Sequence, residues 1–321
     1  MVRSGASTYI AIGWESTFGG GASNVQLFGK DQKLNGVEYS NNQQALPQLY
    51  TPEIKDFLYG RNSGSCSVEY VLSNPFQFTS ILHEPISEVL ASGITTRTWD
   101  SDPANNSNIR KIKSMHLEVG SILKDANLVR NAKGVLTQSL NIKTGIDQPV
   151  QVTQQLIWGI EDAIGTTLKS SIPTDSGFTP FNFVEATVEL PNATVITTIQ
   201  DLDLTFNINS ELLYGLGAAN SVDGYRKLFE VTGKVNLAFQ NKNHLDQVRN
   251  RVELATMEIT LTNGLSGTAL RSIVILMTGV GLSRHGVPTT APTEVMYQEF
   301  DFQARNITVV SKDATAAFSW T

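Results

Sequence analysis

The chain has 321 residues, a net charge of −6 and a pI of about 5.3, and only 17 % of its residues are charged against roughly 25 % in an average soluble domain. That length allows two domains, and the acidic balance gives no long-range attraction to nucleic acid or to an anionic membrane. No apolar run approaches the roughly 18 residues of a membrane span, Ile273 to Met277 being the longest candidate.

From the start, MVRSGASTYIAIGWE lacks the sustained apolar stretch of a secretory signal, so Sec export is not expected. A short alternating segment runs into Gly19, Gly20 and Gly21, which read as a turn, because no Gly-Lys-Ser or Gly-Lys-Thr ending follows to make a phosphate loop. Residues 34–59 are polar and turn-rich and suit a long loop or hairpin lying on a neighbour. Cys66, the only cysteine, shares the parity of Val68 and Tyr70 and is expected to be a small buried hydrophobe.

The strand from Cys66 to Leu72 feeds a helix expected over Pro75 to Leu82, with Asn74 as its cap and proline in the first turn. Ser87 to Asn108 reads as an irregular connection. Met115, Leu117 and Val119 form a strand, Leu136, Leu140 and Ile142 another, and Val150 to Trp158 a third. Gly159 to Phe181 shows no periodicity and is the expected boundary. Beyond it Leu202, Leu204, Phe206 and Ile208 alternate cleanly, and Val235, Leu237 and Phe239 form a further one-sided strand before a short helix expected around Leu245 and Val248. Met257 to Leu261, Ile273 to Gly281 and Met296 to Phe302 complete the strands, with a hairpin tip at 283–293.

Val68, Tyr70, Leu72 and Asn74 recur as Val235, Leu237, Phe239 and Asn241, all at one constant offset, so the chain reads as built twice. The expected organisation is a first repeat with an N-terminal arm over 1–158, a linker or extended arm over 159–186 and a second repeat over 187–321. The fold class is mainly β: a duplicated β-sandwich or incomplete barrel with one short helix per repeat. Open strand edges in such a fold are a hazard unless another copy pairs with them.

No catalytic constellation emerges. His83, His116, His244 and His285 lack metal-ligand spacing, and Asp201 and Asp203 continue the polar stripe of Thr205 and Asn207. No enzyme, cofactor or metal is expected. Tyr9, Trp14, Tyr225 and Phe229 could stack bases, but the basic groove of a single-strand binder is missing. Acidic residues Glu69, Asp203 and Glu258 instead fall on polar strand faces, a lining that would repel a phosphate backbone.

Three segments in order carry a family resemblance: YIAIGWESTFGGGA, with Gly13, Glu15, Ser16, Thr17, Phe18 and Gly19; the loop and strand leading to Gly233, Val235, Leu237 and Phe239; and MYQEFDFQARN, with Phe300, Phe302 and Ala304. The chain resembles the major tail tube proteins of long-tailed phages or related archaeal viruses. The resemblance implies a structural virion protein of the tail, assembled in the host cytoplasm, whose rings stack into a hollow tube closed as one β-barrel, through which double-stranded DNA passes. It implies contacts with adjacent rings, a tape-measure protein, and tail tip and terminator proteins. Candidate inter-ring contacts are Trp14, Phe18, Leu46, Leu49 and Tyr50, and candidate lumen residues are Glu69, Asp203 and Glu258. Two repeats per chain favour a trimeric pseudo-sixfold ring over a hexamer. Remaining readings are a tail-end or connector ring of the same ancestry, and an adhesive or carbohydrate-binding β-sandwich, for which Trp14, Trp99, Trp158 and Trp320 are too dispersed to form a platform.

Overall fold

The computed structural model describes residues 8–22, 25–47, 54–109, 111–122, 126–168, 180–190, 194–196, 199–238, 246, 249–286 and 297–314. In chain order, the first half comprises β1 (Thr8–Trp14), β2 (Gln26–Leu27), β3 (Lys30–Ser40), β4 (Gln44–Pro47), β5 (Ile54–Leu58), β6 (Ser63–Val71), helix α1 (Gln77–Leu82), β7 (Ser87–Ala91), β8 (Ile94–Asp100), β9 (Met115–Ile122), β10 (Asn127–Gly145) and β11 (Gln151–Trp158). The short β12 (Ile160–Glu161), β13 (Ala186–Leu190) and β14 (Thr194–Val195) follow. Then come β15 (Ile199–Asn207), β16 (Ser210–Tyr214), β17 (Ser221–Arg226), β18 (Glu230–Ala238), β19 (Leu254–Thr262), β20 (Ser272–Gly286) and β21 (Tyr297–Asp313).

The central feature is an antiparallel run of eight strands in the order β3-β6-β11-β10-β15-β18-β21-β20. Its first four strands and its last four repeat one pattern. At one level of the ladder, Leu34, Val68, Gln154 and Leu140 stand side by side, and Leu202, Val235, Phe300 and His285 stand side by side in the second set. Both sets break register at the same place, between Thr137 and Ser139 and between Leu282 and Arg284. The β10–β15 ladder, from Ser139↔Asn207 to Gly145↔Asp201, joins the sets. Among the described residues the pairings never return to their start, so the sheet does not close within one chain.

One face of the run is apolar because each strand alternates with period two. Val68, Tyr70, Val152, Leu140, Leu204, Phe206, Val235 and Phe300 are all buried on it. Helix α1 packs there, its Phe78 ring meeting Phe206 edge-on at 6.4 Å and Trp99 at 6.2 Å. The long strands β10 and β20 continue past their bulges into a second layer, where β10 pairs with β9 and β20 with β19.

Three expectations need correction. Ser87 to Asn108 is not an irregular connection: β7 and β8 form a hairpin, and β8 pairs with the far half of β21. Its inward residues are Thr95, Arg97 and Trp99, so two polar side chains disguise the alternation. Residues 34–40 belong to a strand, β3, whose apolar content is low because it has only β6 as a ladder partner among the described residues. The helix after Asn74 is shorter than expected, beginning at Gln77; the Asn74 side chain accepts from the Phe76 N–H just before it. The second expected helix lies almost wholly outside the described residues.

Candidate functional site

The face of the eight-stranded run opposite the core is polar along its whole width. Glu69 on β6 and Asp203 on β15 both lie on it, with Asp201, Glu299 and Asp301, while Lys30, Lys33, Lys143 and Lys234 share the same face and Arg284 stands opposite Asp301 in the β20–β21 ladder. Several of these carboxylates are held by amides. Asn35 donates to Glu69 at 3.1 Å, Asn236 to Asp201 at 3.1 Å, and Asn141 to Asp203. An amide orients a carboxylate without neutralising it, so the face carries charges of both signs, with its carboxylates fixed in place. Lys234 meets Glu299 at 2.7 Å, and that bond holds the lysine's pKa above its ordinary value.

Glu258 does not join this face. It lies on β19, in the second layer, opposite Glu189 of β13. Trp14 is 2 % exposed at the end of β1, and Phe18 sits over Gly134 of its own chain, where a Cβ would lie 2.6 Å from the Phe18 ring. Leu46 occupies β4, whereas Leu49 and Tyr50 lie outside the described residues.

Two hairpins project from the same end of the run, β4–β5 between β3 and β6, and β16–β17 between β15 and β18. They are copies. Gln44↔Leu58 and Ala45↔Phe57 in the first correspond to Glu211↔Tyr225 and Leu212↔Gly224 in the second, and both ladders slip at one place, Leu46/Pro47 and Leu213/Tyr214. The two hairpins stand at the same offset in sequence that relates Val68 to Val235, but few side chains are shared, so the likeness is visible only through the pairing.

The second hairpin folds back over the first repeat. Ser210 donates to the Thr137 carbonyl, Tyr214 donates to the Asn62 carbonyl, and the Ala219 carbonyl accepts from the Asn62 N–H at 2.7 Å. The Arg61 guanidinium lies 5.1 Å from the centre of the Tyr214 ring. Arg226, at the hairpin's foot, donates to the carbonyls of Ile109 and Ile81, and its burial brings its pKa down to about 10.

The opening motif is a buried carboxylate site. Glu15 accepts from the N–H groups of Gly19 at 2.9 Å, Gly21 at 3.1 Å and Gly134 at 3.1 Å, and from the Ser114 hydroxyl at 2.7 Å. Gly134 takes a left-handed φ of 59°, which lets its N–H reach the carboxylate under the Phe18 ring. These bonds fasten β1 to β10 and the glycine turn. The sequence marks Glu15 through the motif but does not reveal its role.

Cys66 is buried, as expected, and burial pushes its thiol up to about 12. His83 and His116 are both held below the usual histidine value, chiefly by burial. Among the described residues no cluster of His, Cys, Asp and Glu could hold a metal ion, and no helix is long and apolar enough to cross a membrane.

The sheet has a polar face bearing charges and, among the described residues, an edge at each end without a ladder partner; the family profile described as phage tail tube protein matches residues 5–304. The chain belongs to the phage tail tube protein family. It is therefore a structural protein of the virion tail, and tail tube assembly is the setting in which its open edges stand. No curated protein matches the sequence.

Proposed function

We propose that three copies of this tail tube chain close head to tail into a ring with six four-stranded units, and that the rings stack into the tube through which viral DNA passes. The observation that carries this is the eight-stranded run. The inner end of the first set, β10, has β15 as its second partner; the corresponding strand of the second set, the Gly281 to Gly286 part of β20, has no such partner among the described residues. At the other end β3 also has one edge without a ladder partner among the described residues. The intrachain β10–β15 junction is then the pattern for β20 against β3 of the next copy, a heterologous contact that removes every exposed edge when it closes.

Placed in such a ring, the apolar face turns outward onto α1 and the second layer, and the face with Glu69 and Asp203 lines the channel. Its fixed carboxylates carry the same sign of charge as passing DNA. Glu258 is no part of that lining. Leu46, Leu49, Tyr50 and Phe18 remain candidates for contacts with adjacent rings, and the length and ends of the tube fall to tape-measure, tip and terminator proteins.

Native mass spectrometry of a single ring tests the proposal. The chain weighs 35.0 kDa, and a ring of three copies has half the mass of a ring of six, a difference the measurement resolves at once. A ring with the mass of six chains would end the pseudo-sixfold reading, and a chain that stays monomeric at high concentration would end the ring itself.

A further inference from the structure

We infer that the β4–β5 hairpin is the arm by which one copy grips the next, seating Phe57 on Gly281 of the neighbouring subunit. The inference rests on the head-to-tail ring proposed above and specifies a contact that the ring alone does not require.

The β16–β17 hairpin shows how such an arm docks. It leaves the run between β15 and β18, crosses the junction with the first repeat, and lies over the ends of β10 and β11 as far as Asn62. At the centre of that contact Gly224 faces Leu136: a Cβ on Gly224 would lie 2.3 Å from the Leu136 side chain, so a larger residue there would force Leu136 to move. The β4–β5 hairpin leaves the run in the same sense, between β3 and β6, and the junction it would cross is the one with the next copy.

The corresponding residues follow from the ladders. Phe57 holds the place of Gly224, since both stand third from the same register slip on matching strands, opposite Ala45 and Leu212. Gly281 holds the place of Leu136, since Leu136 is four residues before Leu140 and Gly281 four before His285, and they stand opposite Ile157 and Gln303. The sizes are exchanged. Within the chain a small residue on the arm meets a large one on the sheet; between chains a large residue on the arm would meet a small one on the sheet. Gly281 is exposed, and nothing lies within 4 Å of where its Cβ would be, which leaves room for a ring.

Exposure agrees. Phe57 is 50 % exposed on the arm, and Leu58 and Tyr59 beside it are 54 % and 70 % exposed, so the Phe57 ring is not covered by its own chain among the described residues. The far end of the contact changes character in the same way. Where Tyr214 latches onto Arg61 and Asn62, the residues at the corresponding landing positions are Leu228, itself exposed, and Phe229. A polar latch within the chain becomes an apolar one between chains.

The test exchanges the sizes. Gly281→Leu alone should set a leucine against the incoming Phe57 and reduce ring formation at least about tenfold, as overpacking of a filled contact does. Phe57→Gly added to it copies the Gly224–Leu136 pair and should restore assembly to within about threefold of the parent. Because Gly281 is exposed, the monomer should keep its circular dichroism and melting point in both variants. A second variant carries Phe57→Cys and Gly281→Cys; mild oxidation of its assembled rings should give covalently linked multimers on a non-reducing gel, and neither single substitution should. Rings of the expected mass in which Gly281→Leu is harmless and the cysteines do not join would overturn the docking while leaving the ring. Parent protein that forms no ring would overturn both.

Discussion

The Arg97 guanidinium donates to the Asp313 carboxylate at 2.7 Å, and both residues are shut off from solvent, at 0 % and 2 % exposure. The pair ties the β7–β8 hairpin of the first repeat to the last strand of the second, with Glu88 holding the other side of Arg97 at 2.7 Å. Removing Asp313 takes one of two carboxylates from a fully buried guanidinium. Asp313→Ala should cost about 3–5 kcal/mol of unfolding free energy, whereas Arg97→Met with Asp313→Leu should recover most of it. Urea unfolding of the monomer measures both, and equal losses in the single and double variants would refute the account.

Glu15 offers a second check, because four donors converge on one buried carboxylate. Glu15→Gln keeps the shape but places an amide N–H₂ among N–H groups that need an acceptor, and should cost about 2–4 kcal/mol. Ser16→Ala, at the exposed neighbour, should stay within about 0.5 kcal/mol. Matching denaturant midpoints for the two variants would rule out a fastening role for the motif.

A pH dependence follows from the buried imidazoles. Burial lowers the His116 pKa below 6.5 despite opposing contributions from Asn131, Glu15 and Glu118, with Lys133 adding to the lowering. The unfolded chain therefore takes up a proton at a higher pH than the folded one. This contribution to stability is complete above about pH 6.5 and declines as the pH falls from there toward the folded-state pKa. His83 shifts in the same direction, again mainly through burial. The melting temperature of the parent should fall between pH 7 and pH 5.5 more steeply than that of His116→Gln, and superimposable profiles would show that His116 does not contribute.

The β class and the family were legible in the residues alone, because a one-sided strand needs a period of two and the motifs stand in the family's order; the spacing of Val68, Tyr70 and Leu72, recurring at Val235, Leu237 and Phe239, is what makes the chain read as built twice. The sequence also placed Glu69 and Asp203 on polar strand faces and Cys66 in the core. Only the tertiary structure decided which polar faces are the same face. Alternation says that Glu258 points away from Met257 and Ile259, but not that β19 belongs to another layer, since layer membership is set by pairings between residues far apart in the chain. A hairpin within 34–59 was legible from its polar, turn-rich composition, but β3 and the likeness of the two arms were not: an edge strand with one partner among the described residues buries little, so its side chains are under weak apolar constraint and carry little periodicity. What the two arms share is backbone register, the matching slips at Leu46/Pro47 and Leu213/Tyr214, and register is a property of paired strands that no single stretch of residues displays.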